Sequence, residues 1–224
     1  MSRKQIIFCD FDGTITVNDN IVAIMKHFQP DGWDRLVEQV MSKTISIREG
    51  VGRMFALLPT SRKQEVVDFA IHNVTIRDGF KELLSYCQEQ AVEFYVTSGG
   101  IDFFVYPVLA AFPIHKDHIY CNSSNFDGSH IQILWPHACD EHCHTDCGMC
   151  KTTIIRRYSA DAYERILIGD SVTDFEGAKL VDTVFARSHL IGLCDELGLN
   201  YYPFEDFHEI IQQLKEMRAH DQPI

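Results

Sequence analysis

Asp10 and Asp12 stand one residue apart at the end of a short apolar run, Ile6-Ile7-Phe8-Cys9, and Gly13 follows at once. An Ile- and Phe-rich run of this length reads as a buried strand. Residues two apart on an extended chain share a face, so the two carboxylates point the same way until Gly13 turns the backbone. Two such acids repel each other unless a proton or a cation lies between them. A helix cap needs one acid, not two. The couple therefore reads as a carboxylate pair built around a divalent metal.

Further polar groups fall at matching places. Val96-Thr97-Ser98-Gly99-Gly100 ends a second strand in a hydroxyl and two glycine amides, the makings of an anion cradle. Arg165-Ile166-Leu167-Ile168 runs into Gly169-Asp170-Ser171-Val172-Thr173-Asp174, and Lys151 opens a helix between these two strands. In a parallel sheet with right-handed crossovers such strand ends share one edge, where ligands bind. Asp10, Asp12, Asp170 and Asp174 in one pocket need compensating positive charge. A hard divalent cation with oxygen ligands supplies it, together with the Lys151 ammonium. Carboxylates, metal, lysine and anion cradle point to phosphoryl transfer. Plainer roles stay open beside these: Ser98 as a helix N-cap, Lys151 as a solvated lysine, Asp174 as the cap of the helix from Phe175.

The elements that position these groups alternate between strand and helix along most of the chain. Between Ile15 and Arg77 the pattern changes. Apolar residues recur there at helical spacing, as in Ile21, Ile24, Met25 and Phe28, with Pro30, Gly32 and Pro59 as breaks. The predicted fold is α/β: a Rossmann-like parallel sheet core flanked by helices, residues 1–14 and 78–224, with a helical cap, residues 15–77, inserted after the first strand. Within the core, residues 125–150 are predicted to form a hairpin turning at Asp127-Gly128 and then a Cys/His-rich loop.

Acidic residues outnumber basic ones by 32 to 20, a formal charge of −12, which argues against nucleic acid or an anionic membrane as partner. No apolar run is long enough to span a bilayer, and the N-terminus leads straight into the first strand without a signal-peptide pattern, so the expected address is the cytoplasm. Cysteines there stay mostly reduced. Four of them, Cys139, Cys143, Cys147 and Cys150, crowd together just before Lys151, with His137, His142 and His144 alongside. Four thiols suffice for a tetrahedral zinc, yet the paired C-x2-C knuckles are missing, so structural Zn2+ and free or partly oxidised thiols both stand. Oligomeric state leaves no signature in the sequence.

The motifs Asp10-Phe11-Asp12-Gly13-Thr14, Val96-Thr97-Ser98-Gly99-Gly100, Lys151 and Gly169-Asp170-Ser171-Val172-Thr173-Asp174, in that order, resemble those of the haloacid-dehalogenase-like phosphohydrolases. The resemblance implies a Mg2+-dependent phosphomonoesterase for a small phosphorylated metabolite. Asp10 is then the nucleophile that becomes an aspartyl-phosphate, and Asp12 the general acid and later the base. Ser98, Gly99 and Lys151 hold the phosphate. Asp10, Asp170 and the Asp12 main-chain carbonyl hold Mg2+, while Asp174 orients Lys151 or the metal's water shell.

The insertion point after Asp12 is similar to that of the phosphoserine-phosphatase-like branch, where a cap acid and a cap arginine contact the substrate's amino acid end. Asp19 matches the acid, and Arg48 and Arg53 are both candidates for the arginine. The Cys-rich run, with the residues around Ser98 and Asp170, looks like the methionine-salvage phosphatases of this branch, which release phosphate and an acireductone from a methylthiopentenyl phosphate. Met25, Phe28, Met54 and Phe55 are expected mostly in the cap core, and any that face the pocket suit a methylthio tail. Phosphoserine or a phosphoamine remains an alternative substrate, and transfer to another acceptor an alternative outcome. A zinc- or redox-sensing protein on an inactive phosphatase scaffold is the reading from a different class, which the intact Asp10, Asp12, Lys151 and Asp170 oppose.

Overall fold

A computed structural model of the chain describes residues 3–220. Its centre is β1 (Lys4–Cys9), whose residues Ile6 to Cys9 are wholly buried. Successive side chains point to opposite faces of a sheet, and here both faces are covered, which is why the strand reads as a continuous apolar run. Ile7 and Cys9 pack with α5 (Phe80–Glu89), α6 (Asp102–Leu109) and α10 (Phe207–His220). Ile6 and Phe8 pack with α7 (Lys151–Arg156), α8 (Val172–Ala178) and α9 (His189–Leu197) on the other face.

β1 pairs in parallel with β2 (Glu93–Ile101) on one side and β5 (Tyr163–Gly169) on the other, so that Phe8 lies between Tyr95 and Leu167. With β3 (Ile119–Asn125), β4 (Gln132–Leu134), β6 (Thr183–Ala186) and β7 (Tyr202–Pro203), the sheet order is β4-β3-β2-β1-β5-β6-β7, and only β4 runs antiparallel. The chain builds outward from β1 on one side, then returns to build on the other. That reversal opens a crevice at the carboxyl ends of β1 and β5. The α/β core expected from the alternation is the fold observed.

Between β1 and α5 come four helices, α1 (Asn20–Phe28), α2 (Trp33–Met41), α3 (Ile47–Phe55) and α4 (Lys63–His72). Asp19 and Ser46 start two of them, accepting the Val22 N–H at 2.9 Å and the Glu49 N–H at 3.0 Å. The two passages between sheet and helices are zipped together: Val17 N–H donates to Thr75 O and Arg77 N–H to Ile15 O, both at 2.9 Å. Met25 and Phe55 are fully buried and Met54 nearly so. An aromatic chain, Phe55–Phe103–Phe104–Phe11, with ring centroids 6.0, 5.2 and 6.2 Å apart, links these helices to the end of β1.

Two local expectations change. The hairpin does not turn at Asp127-Gly128 alone, because β3 and β4 pair from Asn125↔Gln132 outward and leave a longer loop. The helical insert takes that loop over: Thr60 N–H donates to Ser129 O and Ile131 N–H to Leu58 O, both at 3.0 Å. β7 was not foreseen, since two residues carry no alternation, and its Pro203 is tolerated only at a sheet edge. No helix among the described residues is long and apolar enough to cross a membrane.

Candidate active site

Asp10 continues β1 by one residue, its N–H donating to Ile168 O at 2.9 Å, and this aims the carboxylate at the crevice. Lys151 reaches it from the first turn of α7. The ammonium donates to Asp10 Oδ1 at 2.6 Å and also to Asp174 Oδ1, with Thr173 Oγ1 at 3.5 Å. Asp10 and Lys151 are each 3% exposed and Asp174 not at all, so this is a buried charge cluster. Asp174 has a second task. Its Oδ2 accepts the N–H groups of Asp170 and Ser171 at 3.2 Å each, closing the first turn of α8. The capping reading and the lysine-holding reading describe different oxygens of one side chain.

Asp12 hangs from the turn after β1. Its Oδ1 accepts both the backbone N–H and the side-chain amide of Asn20, at 2.9 and 2.6 Å. Gly13 takes φ +81°, and a Cβ there would lie 2.3 Å from Asp170 Oδ2, so only glycine brings the two carboxylate-bearing loops this close. Across the crevice a Cβ on Gly100 would lie 2.7 Å from Asp12 Oδ2 and 2.9 Å from Ser98 Oγ. Ser98 is fully buried, and its Oγ accepts the Gly100 N–H at 2.8 Å. One of the two amides expected to cradle an anion is therefore bound to the serine beside it, and the Ser98 hydroxyl proton remains to be offered. The Gly99 carbonyl accepts from Asn122 at 2.7 Å.

Burial dominates the electrostatics. It pushes the Asp10 carboxyl well up, against the pull of Lys151. Burial, then the Asp19 charge, raises Asp12 to about 7, against the two hydrogen bonds from Asn20. Burial and Asp174 raise Asp170 to about 6. For Lys151 burial acts downward, but Asp10 and Asp174 outweigh it and the ammonium is held charged. Carboxylate oxygens of Asp10, Asp170 and Asp174 lie within 4.8 Å of one another. An oxygen-only set with this excess of negative charge suits a hard cation such as Mg2+. Since both Asp174 oxygens are engaged, Asp10 and Asp170 are the side chains left to hold it.

The cap candidates are more scattered. Asp19 sits at the exposed start of α1 as its N-cap. Arg48 pairs with Asp146 at 3.2 Å and lies over the Trp135 ring at 5.8 Å, and Arg53 pairs along α3 with Glu49 at 3.1 Å. The sulfurs of Cys139, Cys143, Cys147 and Cys150 gather within 4.8 Å of one another.

Sequence reasoning missed three residues. Arg77, 8% exposed, donates from Nη2 to Gly13 O and from Nε to Thr14 O, both at 2.8 Å, and Arg187 Nη1 reaches the same Gly13 O at 2.8 Å. Two guanidinium groups thus pin the turn that carries Asp12. Arg187 follows Val184-Phe185-Ala186, one more polar residue at a strand's carboxyl end, and that signal was there to be used. Arg77 and Asn20 announce themselves by nothing in the local pattern.

Comparison with known proteins bears on this geometry. Residues 7–179, which carry every aspartate of the site and Lys151, match the family model for haloacid dehalogenase-like hydrolases. A 2-hydroxy-3-keto-5-methylthiopentenyl-1-phosphate phosphatase of Brevibacillus brevis is 54% identical, over 97% of this chain and 98% of its own. One of Bacillus velezensis is 50% identical over 98% and 94%. Among solved structures, a phospho-aspartyl intermediate analogue of phosphoserine phosphatase superposes with a TM-score of 0.71 over 95% of this chain and 99% of that one, at 18% identity, a likeness of fold. With the sheet, the helical insert after β1 and the aspartate–lysine cluster all in place, this chain belongs to the haloacid dehalogenase-like hydrolase family.

Proposed function

We propose that the protein is a Mg2+-dependent phosphomonoesterase that hydrolyses 2-hydroxy-3-keto-5-methylthiopentenyl-1-phosphate to phosphate and an acireductone through an aspartyl-phosphate on Asp10. The 54% identity over essentially the whole chain to a relative so named carries the substrate. The reaction type is supported by the buried cluster of Asp10, Lys151, Asp170 and Asp174 beside an Asp12 raised to about 7.

A carboxylate oxygen of Asp10 attacks phosphorus, an Asp10 O–P bond forms, and the bond to the enol oxygen breaks. The Lys151 ammonium favours the ionised form of Asp10 against the pull of burial and offsets the charge of the phosphoryl group. Asp12, raised far enough that a substantial share stays protonated near neutrality, gives its proton to the departing oxygen, then takes one from the water that attacks phosphorus and frees Asp10. The Ser98 hydroxyl donates to a phosphoryl oxygen. Bound Mg2+, held by Asp10, Asp170 and the Asp12 main-chain carbonyl, supplies further neutralisation of the phosphoryl oxygens.

Two features favour the methylthio compound over phosphoserine. Of the Phe55–Phe103–Phe104–Phe11 chain, Phe103 alone is not fully buried, and its ring, where cap meets core, suits a soft sulfur better than a charged amino acid end. Arg48 and Arg53, the guanidinium groups an amino acid carboxylate would need, are paired with Asp146 and Glu49. Steady-state turnover of the two compounds tests the assignment. The expected kcat/KM favours the methylthio ester by about 100-fold or more. Equal values, or a preference for phosphoserine, would remove it.

A further inference from the structure

We propose that Cys139, Cys143, Cys147 and Cys150 bind one zinc ion in a tetrahedral thiolate site, and that this ion fixes the loop joining the helical cap to Lys151. All four cysteines are free, and their sulfurs lie within 4.8 Å of one another. A zinc–sulfur bond of about 2.3 Å puts neighbouring sulfurs of a regular tetrahedron about 3.8 Å apart. Cys143 Sγ and Cys147 Sγ are 3.8 Å apart. Soft sulfur ligands select zinc over the hard cations that suit the aspartates around Lys151.

The nearby histidines take no part. His142 faces Glu141 at 3.5 Å, and His137 packs edge-on against Tyr120 with ring centroids 5.2 Å apart. The Cys147 N–H donates to Cys139 Sγ at 3.4 Å, the kind of supporting contact that orients a metal-bound thiolate.

The loop has little else to hold it. From His137 to Met149 it contains no helix or strand. Its ends, however, are tied to two different parts of the molecule. On the cap side, Ser46 Oγ donates to Asp146 Oδ2 at 2.6 Å, Arg48 N–H donates to Asp146 O at 3.3 Å, and Gly148 packs so tightly on Trp135 that a Cβ would come within 2.7 Å of the ring. On the core side, Asp140 accepts from Arg156 on α7, its own N–H donates to Thr153 Oγ1 at 3.1 Å, and Cys150 is bonded directly to Lys151. A metal tying residues 139, 143, 147 and 150 together therefore couples the position of α3 to that of Lys151.

Elemental analysis of the full-length protein, purified under reductant without chelator and dialysed exhaustively into metal-free buffer, tests the site. The expected result is about one zinc per chain, released in step with titration of four thiols by a mercurial. Reconstitution with Co2+ should give the visible bands of a tetrahedral cobalt thiolate. The double variant Cys143→Ser/Cys147→Ser should lose zinc at least tenfold, and amide exchange across residues 139–150 should speed up in it. Reduced wild-type protein that takes up neither zinc nor cobalt, that carries iron instead, or a double variant that keeps its zinc, overturns the proposal. None of these readouts needs turnover, so they stand or fall apart from the substrate assignment.

Discussion

The Cys150–Lys151 peptide bond joins two clusters of acidic groups, the thiols of the loop that ends at Cys150 and the carboxylates gathered around Lys151. The carboxylates project from strand ends and helix starts. Their charge is met by Lys151 and by backbone N–H groups, and Arg77 and Arg187 pin the turn beside them. The thiols sit on a loop without regular structure, and the cations that reach it, Arg48 and Arg156, are occupied by Asp146 and Asp140. One centre is arranged by the sheet before any metal arrives. The other, on our proposal, is arranged by its zinc. Hard ligands that must release and rebind a phosphate are served by the first design, and a permanent brace by the second.

The largest expected effect breaks the balance inside the carboxylate centre. Lys151→Met keeps the length of the side chain but leaves Asp10 and Asp174 buried without their shared cation. Removing one partner of a buried ion pair costs about 3–5 kcal/mol. Urea unfolding in EDTA should register that loss, Mg2+ should recover part of it, and phosphate release should fall by about 100-fold or more. Unchanged stability would mean that the cluster is not charged as described.

Arg77→Met is expected to cost about 1.5–3 kcal/mol, the worth of hydrogen bonds from a charged donor, because the Thr14 and Thr16 carbonyls lose that donor and Gly13 O keeps only Arg187. Arg53→Ala, on the solvent side of α3, should stay within about 0.5 kcal/mol and leave turnover unchanged. Thermal melts of the two variants side by side sharpen the contrast between an arginine that holds the site and one that does not. A shift in substrate KM for Arg53→Ala would return it to the list of substrate contacts.

Asp12 gives the clearest sign. Its carboxyl is raised from 3.8 to about 7 in the folded chain. The folded state thus binds the extra proton in that window, so Asp12's contribution to stability is full below about pH 4 and is lost as pH rises toward 7. Melting of wild type and Asp12→Asn in EDTA should therefore diverge in the variant's favour between pH 5 and pH 8. For a substrate with a poor leaving group, kcat/KM should also fall as pH rises through about 7, and less so for an aryl phosphate. A flat difference in melting temperature across that range would contradict the raised value.

Much of this centre was legible because strand ends obey simple rules. The apolar run before Asp10 and Gly13 after Asp12, and the spacing from Asp170 to Asp174, each carry a local physical meaning. The cap arginines were not legible in this way. Arg48 and Arg53 lie on one helix within a few residues, and only the folded chain shows that Asp146, about a hundred positions away, claims the first of them. The hairpin loop teaches the same lesson: Asp127-Gly128 is a good turn by itself, yet Leu58 and Thr60 of the distant insert decide its shape. Arg77 and Arg187 bind backbone carbonyls, and a carbonyl has no letter in the sequence.

The proposed reaction turns on Asp10 as the group that takes the phosphoryl. Enzyme quenched in acid during turnover of a phosphorus-labelled ester should carry the label on the peptide containing Asp10. That label should be lost to hydroxylamine and should not form in Asp10→Asn. Label on Asp12 or Asp170, or full turnover by Asp10→Asn, would contradict the account at its root.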